Sequence, residues 1–419
     1  YHLIPLAQRL RERGIGNRIG FFLHVPMPSS DLLAALPHHR ELFAALSSYD
    51  LVGFQTRRDL ERFQDYVRLF GDGRVVDDGV LETADGRRFR GGAFPIGIDV
   101  PTIAGQAERA MKRLAVRRLQ DSLADRALAI GVDRLDYSKG LPERFRAFER
   151  HLERHADQGG RVTFLQIAPP SRSDVPEYQA LRRELETLSG HINSGHAMPD
   201  WTPVRYVNRN FPHEVLTGFY RSADIALVTP MRDGMNLVAQ EYCLCQSLHA
   251  ERTERAPGVL VLSEFAGAAN SLSRALLVNP WDVEGVADAI EEALSLSPDE
   301  RNLRMKTMAE RDKRAQILQA EGLKQSQILE AEGRREAAFR GIRAEGAFLV
   351  SAERREGRTD WVRVASERGA PLRLAHPFGE GDVLVQSGAP GEVRRLPGAD
   401  VLTLSTSPGE EYLFYPARD

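Results

Sequence analysis

Cysteine is nearly absent: the 419 residues contain two, Cys243 and Cys245. They stand two apart in a stretch with helical patterning, which suits buried thiols in a reducing compartment better than a disulfide or a metal site. No apolar run approaches the roughly 20 residues that a membrane helix needs. Neither sign of charge dominates, since 56 Lys and Arg against 59 Asp and Glu leave a formal net charge of −3, which argues against a general polyanion binder. Nucleic acid and membrane are therefore not expected partners, and a cytoplasmic location is. There is also no initiator Met and no signal peptide: Tyr1 already lies in a helical pattern, and a missing upstream segment is expected. The length suffices for two or three domains with separate cores.

What is present centres on Thr229 to Glu241. The apolar run Ile225-Ala226-Leu227-Val228 reads as a buried strand, a polar turn with Gly234 follows, and Leu237, Val238 and Tyr242 start a helical pattern. Backbone N–H groups of Gly234, Met235, Asn236, Leu237 and Val238 then lie near an open helix N-terminus, where unpaired donors and the dipole favour an anion. Asp233 and Glu241 bracket that helix start, so one carboxylate can face a reacting sugar and the other can accept ribose hydroxyls. The same spacing also suits an ordinary α/β turn, and spacing alone does not separate the two.

Upstream, Tyr1 to Arg13 has helical spacing and Ile19 to Val25 reads as a strand that ends in Pro26 and Pro28. His24 sits at that strand's C-terminal end, the edge where open α/β sheets bind ligands, although a loop histidine also suits simple packing. Helices are predicted at about 30–47 and 57–70, a short strand at Leu51 to Phe54, and a strand-like closing segment at Phe94 to Val100. Further strands are predicted at Ala127–Val132, Val162–Ala168, Val204–Val207, Ile225–Val228, Val259–Ser263 and Ala275–Val278, alternating with helices, which implies a parallel sheet covered on both faces. The loop after the first of these holds Arg134 and Lys139 and the next holds Arg172. A guanidinium and an ammonium in one loop can neutralise a leaving diphosphate without metal, or can form ordinary solvated ion pairs.

Several long segments resemble the family-20 retaining glycosyltransferases, the trehalose-6-phosphate synthases. They are Tyr1-His2-Leu3, Phe22-Leu23-His24-Val25-Pro26, Pro95-Ile96-Gly97-Ile98-Asp99, Val132 to Phe145, Gln166-Ile167-Ala168-Pro169, Thr229 to Glu241 and Leu262 to Asn270, in order over about residues 1–300. The resemblance implies a GT-B fold with two Rossmann-like domains, the first incomplete, and transfer of glucose from UDP-glucose to glucose 6-phosphate. It implies that Arg134 and Lys139 hold the donor diphosphate with help from the backbone of Gly234 to Val238. By the same resemblance Glu241 binds the ribose, Asp233 the transferred glucose, His24 its hydroxyls, and Arg172 the acceptor phosphate. His24, Arg134, Lys139 and Asp233 are thus the expected catalytic set, with no metal and no other cofactor, and a front-face mechanism in which the donor phosphate takes the acceptor proton. The family's N-terminal glycine-rich loop and part of its acceptor pocket have no counterpart here, so an exposed sheet edge and impaired turnover are expected. A nucleotide-sugar-binding or assembly protein is the alternative.

The resemblance stops near Pro298 to Arg301. Residues 302–340 read as a long charged helix in which Gln-Ile-Leu-x-Ala-Glu-Gly occurs twice, eleven residues apart, a period that favours a right-handed coiled coil. This stretch resembles the C-terminal helix of the stomatin and prohibitin (band 7) family, so a homo-oligomer is expected through it, with a solvated helix as the alternative. Residues 341–419 alternate short strands with Gly, Pro and Asp turns and read as a small antiparallel β-sandwich, faintly similar to a glycoside hydrolase terminal β-domain. Trp361 and Tyr412 would mark a carbohydrate face if both were exposed on one side. The expected organisation is therefore 1–115, 116–301, 302–340 and 341–419, an α/β chain followed by a helix and a β-module, with a composite reading frame as a further alternative.

Overall fold

The computed structural model describes residues 2–77, 79–156, 159–171, 174–250, 255–308, 337–344, 347–355, 358–378, 381–387 and 392–417. They fall into two compact units, Tyr1–Ala315 and Gln316–Asp419. The first opens with α1 (Leu6–Glu12), β1 (Gly20–Leu23), α2 (Ser30–Ala34), α3 (His39–Leu46), β2 (Leu51–Phe54), α4 (Arg57–Leu69), β3 (Arg74–Asp77), β4 (Val80–Glu82) and β5 (Arg88–Ala93). These strands form one sheet in the order β1-β2-β5-β4-β3, with β1, β2 and β5 parallel and β4 antiparallel to its neighbours. Strand β1 forms one edge. The hydroxyl of Thr56 caps α4 by accepting from Asp59 N, and Leu60, Phe63 and Val67 form the stripe that α4 buries.

Two expectations shift here. The helix read over 30–47 is interrupted between α2 and α3 at Pro37, whose ring and missing N–H disfavour a continuous helix. The strand-like segment at Phe94 to Val100 carries no strand: the ladder belongs to β5, and 94–99 has no regular structure. Pro95 cannot donate to a ladder, and Asp99 instead caps the next helix by accepting from Thr102 N at 3.1 Å.

The chain continues through α5 (Val100–Ala110), α6 (Leu114–Asp121), β6 (Ala127–Val132), α7 (Leu141–Arg154), β7 (Val162–Ile167), α8 (Pro176–His196), β8 (Val204–Val207), α9 (His213–Ser222), β9 (Ile225–Val228), α10 (Leu237–Ala250), β10 (Val259–Ser263), β11 (Leu276–Val278) and α11 (Val283–Ser295). The strand order β11-β10-β9-β6-β7-β8 is wholly parallel and doubly wound, as expected. Every residue of β7, β9 and β10 is buried, because helices cover both faces. Helices α5, α9 and α10 supply one core with Ile103, Phe219 and Tyr242, and α7, α8 and α11 supply the other with Phe148, Leu185 and Ile290. Cys243 and Cys245 are buried on α10 and form no disulfide.

His151 of α7 is 4% exposed in the second of these cores. Burial, reinforced by His155, Arg161 and Arg154 and opposed by Glu291, lowers its pKa to about 4. The unfolded chain takes up this proton near pH 6.5, before the folded one does, so stability is expected to fall as pH drops from about 6.5 towards 4. The loss from this group is about 2 kcal/mol at pH 5. Urea midpoints at pH 7 and pH 5 check it, and a drop of equal size in His151→Leu would assign it to other groups.

In the second unit, β12 (Ala337–Ala344), β13 (Phe348–Arg355), β14 (Arg358–Ser366), β16 (Val383–Ser387), β17 (Glu392–Leu396) and β19 (Glu411–Pro416) make an antiparallel sheet, β12-β13-β14-β19-β16-β17. A two-stranded sheet of β15 (Leu372–Ala375) and β18 (Val401–Leu404) packs Leu372 and Leu402 into the same core as Val364 and Phe414. The long helix expected over 302–340 is corrected at its end, because β12 is a strand paired with β13. Helix is present through 308, and residues 309–336, which hold the eleven-residue repeat, lie outside the described residues. The aromatic carbohydrate face does not form. Tyr412 is 4% exposed and pairs across from Val364, which is in the core, whereas Trp361 alternates to the opposite side of β14 and donates to Glu353 at 3.2 Å.

Candidate active site between the two sheets

The loop after β9 is held on both flanks. Met231 N donates to Ser138 O at 2.9 Å, Asp233 N to Phe265 O at 3.2 Å, Gly267 N to Asp233 O at 3.1 Å and Ala268 N to Met235 O at 2.7 Å. Asn236 adopts a left-handed φ of 81° and closes the turn, donating to Asp233 Oδ2 at 3.2 Å and accepting from Ala239 N at 3.1 Å. Asn236 therefore caps α10, so the anion site predicted at this helix start is the backbone before Ala239.

Lys139 Nζ meets Asp233 Oδ2 at 2.5 Å across 94 residues, with side chains 15% and 18% exposed. Arg134, on the same loop as Lys139, is exposed. His24 follows β1, exposed, with its ring 4.8 Å from that of Phe22. Its carbonyl oxygen faces Gly234 so closely that a Cβ on Gly234 would overlap it. Arg62 of α4 and Arg232 of the loop after β9 both donate to the carbonyl of Met27, at 2.9 and 2.5 Å. Between the sheets lies a cavity of about 310 Å³ whose lining includes Arg58, Arg62, Arg232, Asp233, Gly234 and Trp281.

Glu241 is on α10 and faces His213, with Nε2 to Oε1 at 3.2 Å. Burial raises its carboxyl pKa, and His213 and Tyr220 oppose the shift. His213 is itself held by Gln106, 2.6 Å from Nδ1. The structure thus joins Lys139 to Asp233 and brings His24 against Gly234, while Glu241 has its own partner. Arg172 lies outside the described residues.

One residue that organises these loops was not singled out from sequence. Arg144 is 1% exposed and donates to Asp133 at 2.6 Å, Gln166 at 2.9 Å, Thr229 at 2.9 Å and Lys139 O at 3.4 Å. It fastens the loop of Lys139 to the ends of β6, β7 and β9. Gly131 makes the room, since a Cβ there would come within 2.7 Å of Arg144 Nη1. A glycine inside an apolar strand followed by an arginine among the apolar positions of the next helix is the only local trace of this network.

The glycosyltransferase family 20 profile matches residues 1–319. A trehalose-6-phosphate synthase of Sinorhizobium fredii is 49% identical over 308 residues, covering 74% of this chain and 65% of the relative. One of Cronobacter sakazakii is 46% identical over 310 residues, covering 74% and 64%. The chain therefore spans slightly less than two thirds of these curated relatives. Among solved structures, an α,α-trehalose-phosphate synthase (UDP-forming) of Burkholderia xenovorans in complex with glucose-6-phosphate superposes with a TM-score of 0.73 at 47% identity, covering 78% of this chain and 71% of that one. An Escherichia coli trehalose-6-phosphate protein bound with UDP-2-fluoro glucose gives 0.70 at 43%, covering 75% and 68%.

Proposed function

The chain belongs to glycosyltransferase family 20, and from that premise we propose that it transfers glucose from UDP-glucose to glucose 6-phosphate with retention, giving trehalose 6-phosphate and UDP. The observation that carries this reading is the approach of Lys139 to Asp233 beneath the start of α10. A cation, a carboxylate and helix-start N–H groups meet there, the set needed to hold a diphosphate and orient the sugar attached to it.

In this reading Arg134 and Lys139 bind the donor diphosphate, and the backbone of Gly234 to Val238 assists. Asp233 releases Lys139 to the phosphate and takes sugar hydroxyls, His24 contacts the same sugar from the other sheet, Glu241 accepts from the ribose and Arg172 receives the acceptor phosphate. The charge that develops on departing UDP is stabilised by groups already in place, and the donor phosphate takes the acceptor proton. No metal takes part in the transfer. Residues 1–115 serve the acceptor side, 116–301 the donor side, and 341–419 form a non-catalytic module. Among the described residues no helix is long and apolar enough to cross a membrane, which accords with the proposed cytoplasmic location.

Calorimetric titration of UDP-glucose tests the donor site, followed by a UDP-release assay with glucose 6-phosphate. Arg134→Ala is expected to weaken donor binding about 30- to 100-fold, the worth of charge-assisted hydrogen bonds to phosphate. Donor binding without UDP release would reduce the reading to a nucleotide-sugar-binding protein, and equal binding by parent and variant would remove the assigned site.

A further inference from the structure

A second cluster of ligating groups lies away from the cleft, where α7 and α11 cover the second sheet. His151 lies in the last turn of α7 and His155, four residues on, is its C-cap residue, and Glu291 of α11 lies opposite. Glu291 Oε2 is 3.9 Å from His151 Nδ1 and 3.9 Å from His155 Nε2, and the three ligand atoms lie within 4.8 Å of one another. These separations are too long for direct hydrogen bonds.

The carboxylate is oriented unequally. Oε1 accepts from Ser295 Oγ at 2.9 Å and from Arg161 at 3.4 Å. Oε2 and His151 Nδ1 are both buried and without a hydrogen-bond partner. Two buried polar atoms that face each other without partners are costly as they stand, and both costs vanish if the imidazole nitrogen is unprotonated and a cation sits between them. Arg161 and Ser295 would then be the outer-shell groups that aim the carboxylate. The nearby Arg154 is paired with Asp288 at 2.6 Å and Glu284 at 3.4 Å.

We propose that His151, His155 and Glu291 form a site for a borderline divalent transition metal such as zinc, which clips α7 to α11. Two imidazoles and one carboxylate are a ligand set suited to zinc and cobalt(II). In a tetrahedral site the ligand atoms stand roughly 3.4 Å apart, so small side-chain rotations close the present separations. His155, which is half-buried, supplies the entry path and an adjustable ligand. The site is roughly 16 Å along α7 from the Lys139 loop, so its role is structural and separate from the transfer.

Cobalt(II) titrated into the untagged full chain after EDTA treatment tests this. One equivalent should produce a saturable tetrahedral d–d absorption that zinc displaces, and one equivalent of zinc should raise the unfolding temperature. His155→Gln should lose both responses, with little change in the metal-free unfolding temperature. A missing saturable band, or a band and shift that persist in His155→Gln, would overturn the site. Glu291→Gln, which keeps an acceptor for Ser295, should weaken the metal response as well, and an unchanged response there would equally overturn it.

Discussion

Gly234→Ala is expected to lower UDP-glucose affinity by about a hundredfold or more while the far-ultraviolet circular dichroism stays that of the parent. The added Cβ would overlap the His24 carbonyl, a backbone atom just beyond the end of β1, so no side-chain rotation relieves it. On its other flank Gly234 is pressed by Gly267, where a Cβ would overlap the Gly234 carbonyl, so the loop has no easy retreat. Any shift carries Asp233 away from Lys139, and a displacement of about 1 Å at a positioned group costs on the order of a hundredfold. Gly190→Ala is the matched control. It lies inside α8 with nothing within 4 Å of its would-be Cβ, and should stabilise by about 0.5–1 kcal/mol without touching affinity. Calorimetry on the pair decides the matter: parent-like affinity in Gly234→Ala would mean that the contact between sheets does not set the donor site.

Arg144→Met is expected to cost about 3–5 kcal/mol of stability, the typical loss when one partner of a buried ion pair is removed. Its guanidinium side chain is 0% exposed and that of Asp133 3%, so the variant leaves a carboxylate buried without its counter-charge. Gln166 and Thr229 lose a donor in the same step. Asp133→Asn added to Arg144→Met should recover part of the loss, because the uncompensated charge is then gone. Urea unfolding of the two single variants and the double variant measures this. Additive losses would show that Arg144 acts through packing rather than through the ion pair. UDP-glucose binding should weaken alongside stability, because Lys139 O is one of the groups that Arg144 holds.

Much of the second sheet and its helices was legible in the sequence. The six strands of the second sheet are short, nearly continuous apolar runs bounded by turn residues, and β6, β8, β9 and β10 form at the residues read for them. Local preference and tertiary burial agree there, so neither overrides the other. The β-module was read less completely. The first half of β12 falls within the stretch read as a charged helix, and β17, Glu392–Leu396, has no apolar alternation; both are edge strands, whose pairing comes from a neighbour rather than from their own periodicity.

The candidate site divides in the same way. Residue type and chain order alone placed His24 after a strand, Arg134 and Lys139 in one loop, Asp233 beside the turn at Gly234, and Glu241 about one turn into the helix that follows. They do so because strand ends and helix starts are local events. That Lys139 pairs with Asp233, that His24 abuts Gly234, that Glu241 is matched to His213 and that Arg144 ties three strand ends together follow from the packing alone. These pairings join residues far apart in sequence, and which groups meet is set by how two separately read sheets pack and what burial then demands of each charge.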